Sequence, residues 1–176
     1  MWNKRAFQVL LSVYNGEKHF KKCLESLNTS LENEDWILLI GNDGSTDHTV
    51  MEIVEHTPLC NADKVHVFDY PKAKTVGEAK NRLIKEAHKF SISHPAILMI
   101  DVDDEMTPER PKMIDTAKKE EHQYIVGAWV RLKRKNNQWK TQTNKLATSA
   151  TKNLQFGPWA TLFHCDFLPE DGKFFP

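Results

Sequence analysis

Three short apolar runs in this chain each end abruptly in a polar cluster, and nothing else in the sequence restricts the fold as strongly. Phe7 through Val13 leads into Tyr14-Asn15, and Trp36-Ile37-Leu38-Leu39-Ile40 leads into Gly41-Asn42-Asp43-Gly44-Ser45. Ala96-Ile97-Leu98-Met99-Ile100 leads into Asp101-Val102-Asp103-Asp104. Runs of this length with no polar alternation read as strands buried on both faces. Helical spacing fills the gaps. Phe20, Cys23, Leu24, Leu27 and Leu31 form one apolar stripe; Val50, Ile53 and Val54 form another behind Asp47 as a candidate N-cap; Ala79, Leu83, Ala87 and Phe90 form a third. Val65 to Phe68 reads as a short strand. Met113, Ile114 and Ala117 belong to a helix after Thr107-Pro108, with Pro111 leaving its start open. Tyr124 to Leu132 reads as one further strand, with Trp139 to Thr143 as its antiparallel neighbour.

Such alternation predicts an α/β domain with a Rossmann-like, mainly parallel central sheet flanked by helices. A length of 176 residues suits a single domain with a real core, and 40% hydrophobic against 27% charged residues argues against disorder. Lys and Arg balance Asp and Glu at 24 each, so the charge offers no case for nucleic-acid binding. No apolar run reaches membrane-spanning length, and Lys4-Arg5 is not followed by the apolar core of a signal peptide. Cys23, Cys60 and Cys165 lack metal-type spacing and read as free thiols of a reducing compartment.

In a parallel sheet, ligands sit outside the carboxyl ends of the strands. The three polar clusters are therefore expected to line one rim. Three carboxylates packed as Asp101, Asp103 and Asp104 repel one another, so one is expected to hold a proton unless a cation sits among them. A hard divalent ion that also grips phosphate oxygens resolves that repulsion; an acidic turn satisfying its own loop amides is the plain alternative. Tyr14 offers a face for a base to stack on, or packs on the first helix. Asp43 can accept from a ring N–H of a pyrimidine or guanine, or simply make a turn within Asn-Asp-Gly-Ser. Asp101 can hold a ribose hydroxyl, Asp103 can bind the metal, and Asp104 can orient metal-bound water or cap the next turn.

The ordered set Leu-Ser-Val-Tyr-Asn-Gly-Glu, Gly-Asn-Asp-Gly-Ser-Thr-Asp-His-Thr, Gly77-Glu78-Ala79-Lys80-Asn81 and Asp-Val-Asp-Asp resembles the family 2 glycosyltransferases of the GT-A fold. The resemblance runs from about Phe7 to Glu121, with a looser match over Gly157 to His164. It implies one domain over residues 1–176: a nucleotide-sugar part over 1–121, and the start of an acceptor-side part over 122–176. It also implies an inverting transferase that takes a nucleoside-diphosphate sugar, most often a UDP-sugar, with Mn²⁺ or Mg²⁺. The substrate-binding set is then Ser12, Tyr14, Asp43, Lys80 and Asp101, with Asp103 as the metal ligand. Lys80 stands where the family often has arginine, and lysine does not reproduce a bidentate arginine contact.

Inversion needs a general base opposite the leaving diphosphate, and the resemblance places it in an acidic motif well after the Asp-x-Asp site. Glu170-Asp171 has the right letters, but Leu-Pro-Glu-Asp-Gly-Lys-Phe-Phe-Pro reads as the turn that precedes such a base. The expectation is a chain truncated at its C-terminus, with the base beyond Pro176. The acceptor is expected to be a carbohydrate or a lipid-linked sugar, in bacterial surface polysaccharide synthesis. The expected location is cytoplasmic, with peripheral contact at the inner face of the membrane. Trp129, Trp139 and Trp159 could stack on sugar rings or fill the core, Lys133-Arg134-Lys135 reads as a basic hairpin turn, and His164 could reach the metal or sit hydrogen-bonded at the domain edge. Two other functions are open: a sugar-nucleotide pyrophosphorylase, against which the single glycine between Ser12 and Lys18 counts, and a catalytically dead nucleotide-sugar-binding module.

Overall fold

A computed structural model describes residues 5–120, 124–126, 130–135, 138–143, 147–148 and 161–176. The apolar runs form strands β1 (Ala6–Val13), β2 (Asp35–Asp43), β3 (Lys64–Tyr70) and β4 (Ala96–Asp101). β1 pairs in parallel with both β2 and β4, and β2 pairs in parallel with β3. Three later strands, β9 (Thr161–His164), β5 (Tyr124–Val126) and β8 (Ala147–Thr148), extend the sheet beyond β4 in antiparallel fashion. The full order is β3-β2-β1-β4-β9-β5-β8. The region read as one strand from Tyr124 to Leu132 divides: β5 joins the main sheet, while β6 (Val130–Lys135) pairs with β7 (Gln138–Thr143) in a separate two-stranded ribbon. Lys133, Arg134 and Lys135 thus lie on β6 rather than in the turn. Trp129, Trp159 and the loosely matching Gly157 to Ala160 fall outside the described residues.

Both faces of the central strands are covered, which is why their sequences show no polar alternation. On one face Phe7, Val9, Leu11, Leu38, Ile40, Leu98 and Ile100 meet α1 (Phe20–Ser30), α2 (Thr49–His56) and α4 (Glu109–Glu120) through Phe20, Leu24, Leu27, Ile53, Met113 and Ile114. On the other face Leu10, Ile37, Leu39, Ile97 and Met99 meet α3 (Val76–Ala87) through Leu83, Ile84 and Ala87. β3 is an edge strand, and its Lys64, Val67 and Asp69 are exposed. Pro111 lies in the first turn of α4, where its missing N–H leaves no intrahelical bond unmade. The N-cap of α2 is His48 rather than Asp47, but Asp47 still satisfies the first helical residue from one position outside: its Oδ1 accepts from Thr49 N at 3.1 Å and from Thr49 Oγ1 at 2.5 Å. Cys23 and Cys165 are buried and Cys60 is half-buried, all as free thiols. Among the described residues, no helix is long and apolar enough to cross a membrane.

The C-terminal segment folds back on α3. Phe163, Phe167 and Phe174 stack and edge-pack with ring centroids 5.7 to 6.0 Å apart. Gly172 has φ 75°, and a Cβ there would collide with Asn81 O, so only glycine permits this approach. Asn81 then clamps the tail: Nδ2 donates to Phe175 O at 2.8 Å, and Oδ1 accepts from Phe174 N at 3.1 Å and Phe175 N at 2.8 Å. Asn81→Ala should therefore lower unfolding stability by about 1–3 kcal/mol, since it strands backbone groups that the amide satisfies. Urea unfolding checks this, and an unshifted midpoint would show that the clamp is dispensable.

Candidate active site

Strand register brings the polar ends together. Ser12 on β1 lies beside Gly41 on β2 and Asp101 on β4, and Asn42 and Asp43 pair with Asp69 and Tyr70 on β3. The clusters after β1, β2 and β4 thus share one rim, as the sequence predicts for parallel strands.

Side-chain to backbone bonds lock the first two loops to each other. Asn15, at φ 49°, accepts from Thr46 N at 2.8 Å through Oδ1, and its own N–H donates to Ser45 Oγ at 3.0 Å. Gly16 N donates to Thr49 Oγ1 at 2.7 Å, and His48 N donates to Glu17 Oε2 at 3.0 Å. Asn and short polar residues tolerate such left-handed, self-bonded turns. This stitching fixes Tyr14 relative to Asp43. The loop after β3 closes the same corner: Gly44 has φ 66°, and a Cβ there would stand 2.8 Å from Lys72 N.

Asp43 is buried, 6% exposed, and surrounded by donors. Its Oδ1 accepts from Ala73 N at 2.8 Å and from Arg82 Nη1 at 3.3 Å, and its Oδ2 accepts from Lys72 Nζ at 3.2 Å. Arg82 is itself held by Pro71 O at 2.6 Å and Glu78 Oε1 at 2.8 Å, and lies over the Tyr70 ring. Tyr14 is exposed, with the Lys72 ammonium 3.0 Å from its ring centroid. Asp43 is therefore the anchored end of this corner and Tyr14 the open one.

On the far side of Ser12, Lys80 reaches from α3 to pair with Asp101, its side chain only 6% exposed. Its neighbourhood is set by the N-cap of α3, where Thr75 Oγ1 accepts from Glu78 N at 3.1 Å and Glu78 Oε2 accepts from Lys74 N at 2.8 Å. Asp103 is exposed and forms no hydrogen bond or ion pair among the described residues. Asp104 is half-buried, and its carboxyl is pushed up to about 6, first by burial and then by the charges of Asp103 and Asp101, against the pull of Arg110 and Lys80. Carboxylate crowding contributes at Asp104, behind burial. Arg110 donates to Met99 O and to Thr161 O, and burial lowers its guanidinium to about 9, which keeps it cationic at neutral pH.

This donor set fits a hard divalent ion, being all carboxylate oxygen and only partly neutralised. It is not an all-protein cage, because Asp101, Asp103 and Asp104 do not gather three ligand atoms within 4.8 Å of one another. It suits an ion held by one or two carboxylates and completed by phosphate oxygens. Groups that tight form elsewhere, at Asp35-Asp63-His94 and Glu52-Glu55-His56. Asp35 and His94 lie at the amino ends of β2 and β4, on the opposite rim. His164 is also misplaced for a metal role at the acidic turn. It pairs in register with Ala96, at the start of β4, and its Nδ1 accepts from Asp166 N at 3.2 Å.

Glu170 and Asp171 are exposed in a turn. Asp171 Oδ1 accepts from Lys173 N at 3.0 Å, and Gly172 N donates to Pro169 O at 2.9 Å, as the turn interpretation requires. The sequence reading missed Lys72 and Arg82. Their one available signal was position: Pro71-Lys72 follows the carboxyl end of β3, as the other clusters follow theirs, and Arg82 lies two residues beyond Lys80.

A family model described as "Glycosyl transferase family 2" matches residues 8–168. The chain belongs to this family. Solved structures similar to it include S. aureus TarS 1-349 in complex with UDP-GlcNAc, at 20% identity and TM-score 0.60 over 96% of this chain and 48% of that one. Mannosyltransferase PcManGT from Pyrobaculum calidifontis, in complex with GDP-Man and Mn²⁺, is 16% identical at TM-score 0.54 over 73% of this chain and 35% of that one. These likenesses show the GT-A fold. The chain spans about half the length of TarS 1-349. No curated protein matches it.

The raised Asp104 gives a pH signature for the cation-free protein. Its folded value near 6 lies above the ordinary 3.8, so the folded state takes up this proton first as pH falls. Its penalty on stability is then full above about pH 6 and gone below about pH 4. In chelator, Asp104→Asn should melt higher than the parent at about pH 8, and the two melting curves should converge toward pH 4. Parallel Tm profiles would remove the raised Asp104 carboxyl from the account.

Proposed function

We propose that this domain binds the donor of a glycosyl transfer, a nucleoside-diphosphate sugar with UDP as its nucleotide, and passes the sugar with inversion to a hydroxyl acceptor. The observation that carries the proposal is the shared rim, where Tyr14, Asp43, Asp101 and Asp103 lie at the ends of three parallel strands. Tyr14 supplies the stacking face, and Asp43 accepts the N3–H of the uracil. Asp101, held by Lys80, accepts a ribose hydroxyl. Asp103 with Asp104 would hold a divalent cation, Mn²⁺ or Mg²⁺, whose charge stabilises the departing diphosphate. Lys80 and Arg110 keep the acidic turn from carrying its whole charge unbalanced.

Deprotonation of the acceptor needs a base. Asp171 is committed to its turn and Glu170 lies exposed in the same turn, and we assign the base to neither. The single glycine of the β1–α1 loop and the family match support sugar transfer over pyrophosphorolysis. Within the same proposal, the acceptor is a carbohydrate or lipid-linked sugar of a bacterial surface polysaccharide, met at the cytoplasmic side of the membrane.

Calorimetric titration with UDP, with and without Mn²⁺, tests the assignment. Tyr14→Ala should weaken UDP by about 1–3 kcal/mol in both conditions, the worth of one base–aromatic stack. Asp103→Ala should abolish the gain from Mn²⁺ while leaving metal-free binding intact. UDP affinity indifferent to Tyr14, or a Mn²⁺ gain that survives in Asp103→Ala, would reject the respective role. UDP binding without UDP release from any UDP-sugar would mark a binding module instead.

A further inference from the structure

Two contacts define the base seat: a π face at Tyr14 and an acceptor at Asp43. In this structure one group already makes both. The Lys72 ammonium stands 3.0 Å from the Tyr14 ring centroid and 3.2 Å from Asp43 Oδ2. A stacked base would place its atoms about 3.5–4.0 Å from those of Tyr14, which is the layer Nζ occupies. Its N–H would point at the carboxylate that Nζ now satisfies. Base and ammonium therefore exclude each other. We propose that Lys72 is a resident stand-in for the nucleobase, one that the entering nucleotide must evict. This rests on the assignment of the base seat to Tyr14 and Asp43.

The surroundings are built for the side chain to leave while the seat stays. Asp43 retains Ala73 N at 2.8 Å and Arg82 at 3.3 Å when Lys72 departs, so its buried charge is never stranded. The Lys72 side chain is 50% exposed, so four methylenes and an ammonium can swing into water. Its backbone passes close to Gly44, where a Cβ would come within 2.8 Å of Lys72 N. Only the side chain has to move.

The ammonium holds its place through a half-exposed cation–π contact and an ion pair from a half-exposed lysine to the buried Asp43, which together amount to roughly a three- to thirtyfold factor in a binding constant. That factor opposes every base alike, because the ammonium leaves the same two partners whichever base arrives. Lys72 thus weakens donor and spent nucleotide equally and does not choose between bases. Its effect on turnover is to hasten release of the product UDP, a step that limits turnover in many enzymes.

Calorimetry with UDP and with CDP, without metal, on the parent, Lys72→Met and Lys72→Arg provides the test. Lys72→Met should bind both nucleotides roughly three- to thirtyfold more tightly, leaving the UDP-to-CDP ratio unchanged. Lys72→Arg, which keeps a cation, should remain close to the parent. Unchanged or weaker UDP binding by Lys72→Met overturns the proposal, and so does a collapse of the UDP-to-CDP ratio, which would make Lys72 a reader of the base. Tyr14→Ala in the same series separates the two layers. If UDP ignores Tyr14, the base seat itself is wrong; if UDP needs Tyr14 but Lys72→Met gains nothing, only the eviction fails. A single cooperative thermal transition of Lys72→Met, lowered by no more than the lost contacts are worth, guards against a folding artefact.

Discussion

The parallel pairing of β1 with β2 on one side and β4 on the other is the constraint from which the rest follows. These strands are covered on both faces, so apolar side chains such as Val9 and Leu10 point alternately into the two helical layers. The depth of that covering sets where each apolar run must stop. All three runs stop at the same level, so Ser12, Gly41 and Asp101 become neighbours although they are far apart in the chain. Ligand chemistry is thereby confined to one rim.

The second organising theme is charge. The rim carries Asp43, Asp101, Asp103 and Asp104, and most of its balancing cations come from α3 and the loop before it. Lys72 and Arg82 serve Asp43, while Lys80 serves Asp101. Asp103 and Asp104 are left with less compensation, and the Asp104 carboxyl is raised first by burial and then by the neighbouring charges of Asp103 and Asp101. An unevenly balanced rim distinguishes a corner that is already satisfied, around Asp43, from one that still attracts positive charge, around Asp103.

Much of this was legible in the residues. The apolar runs, the stripes of α1 and α3 and the rim positions of Tyr14, Asp43 and Asp101 follow from periodicity and from the rule that ligands gather at strand carboxyl ends. The stripe read on α2 does not hold: Ile53 is buried, but Val50 and Val54 are exposed. The order of the antiparallel strands was not legible, because β5 and β8 are only three and two residues long and owe their place to pairing rather than to pattern. The division of Tyr124 to Leu132 was missed for the same reason. Lys72 and Arg82 escaped notice because a loop lysine and a helical Arg spaced four residues from Glu78 look like ordinary solvated charges. His164 was ambiguous until its register with Ala96 set it at the far end of β4.

Lys80, Asn81 and Arg82 are consecutive on α3, yet each serves a different neighbour: Asp101, the tail at Phe174-Phe175, and Asp43. Successive residues of a helix diverge by about 100° around its axis. A one-residue insertion or deletion upstream within α3 would rotate all three away from their neighbours together. The length of this helix before Lys80 is accordingly far less free to drift than its exposed sequence.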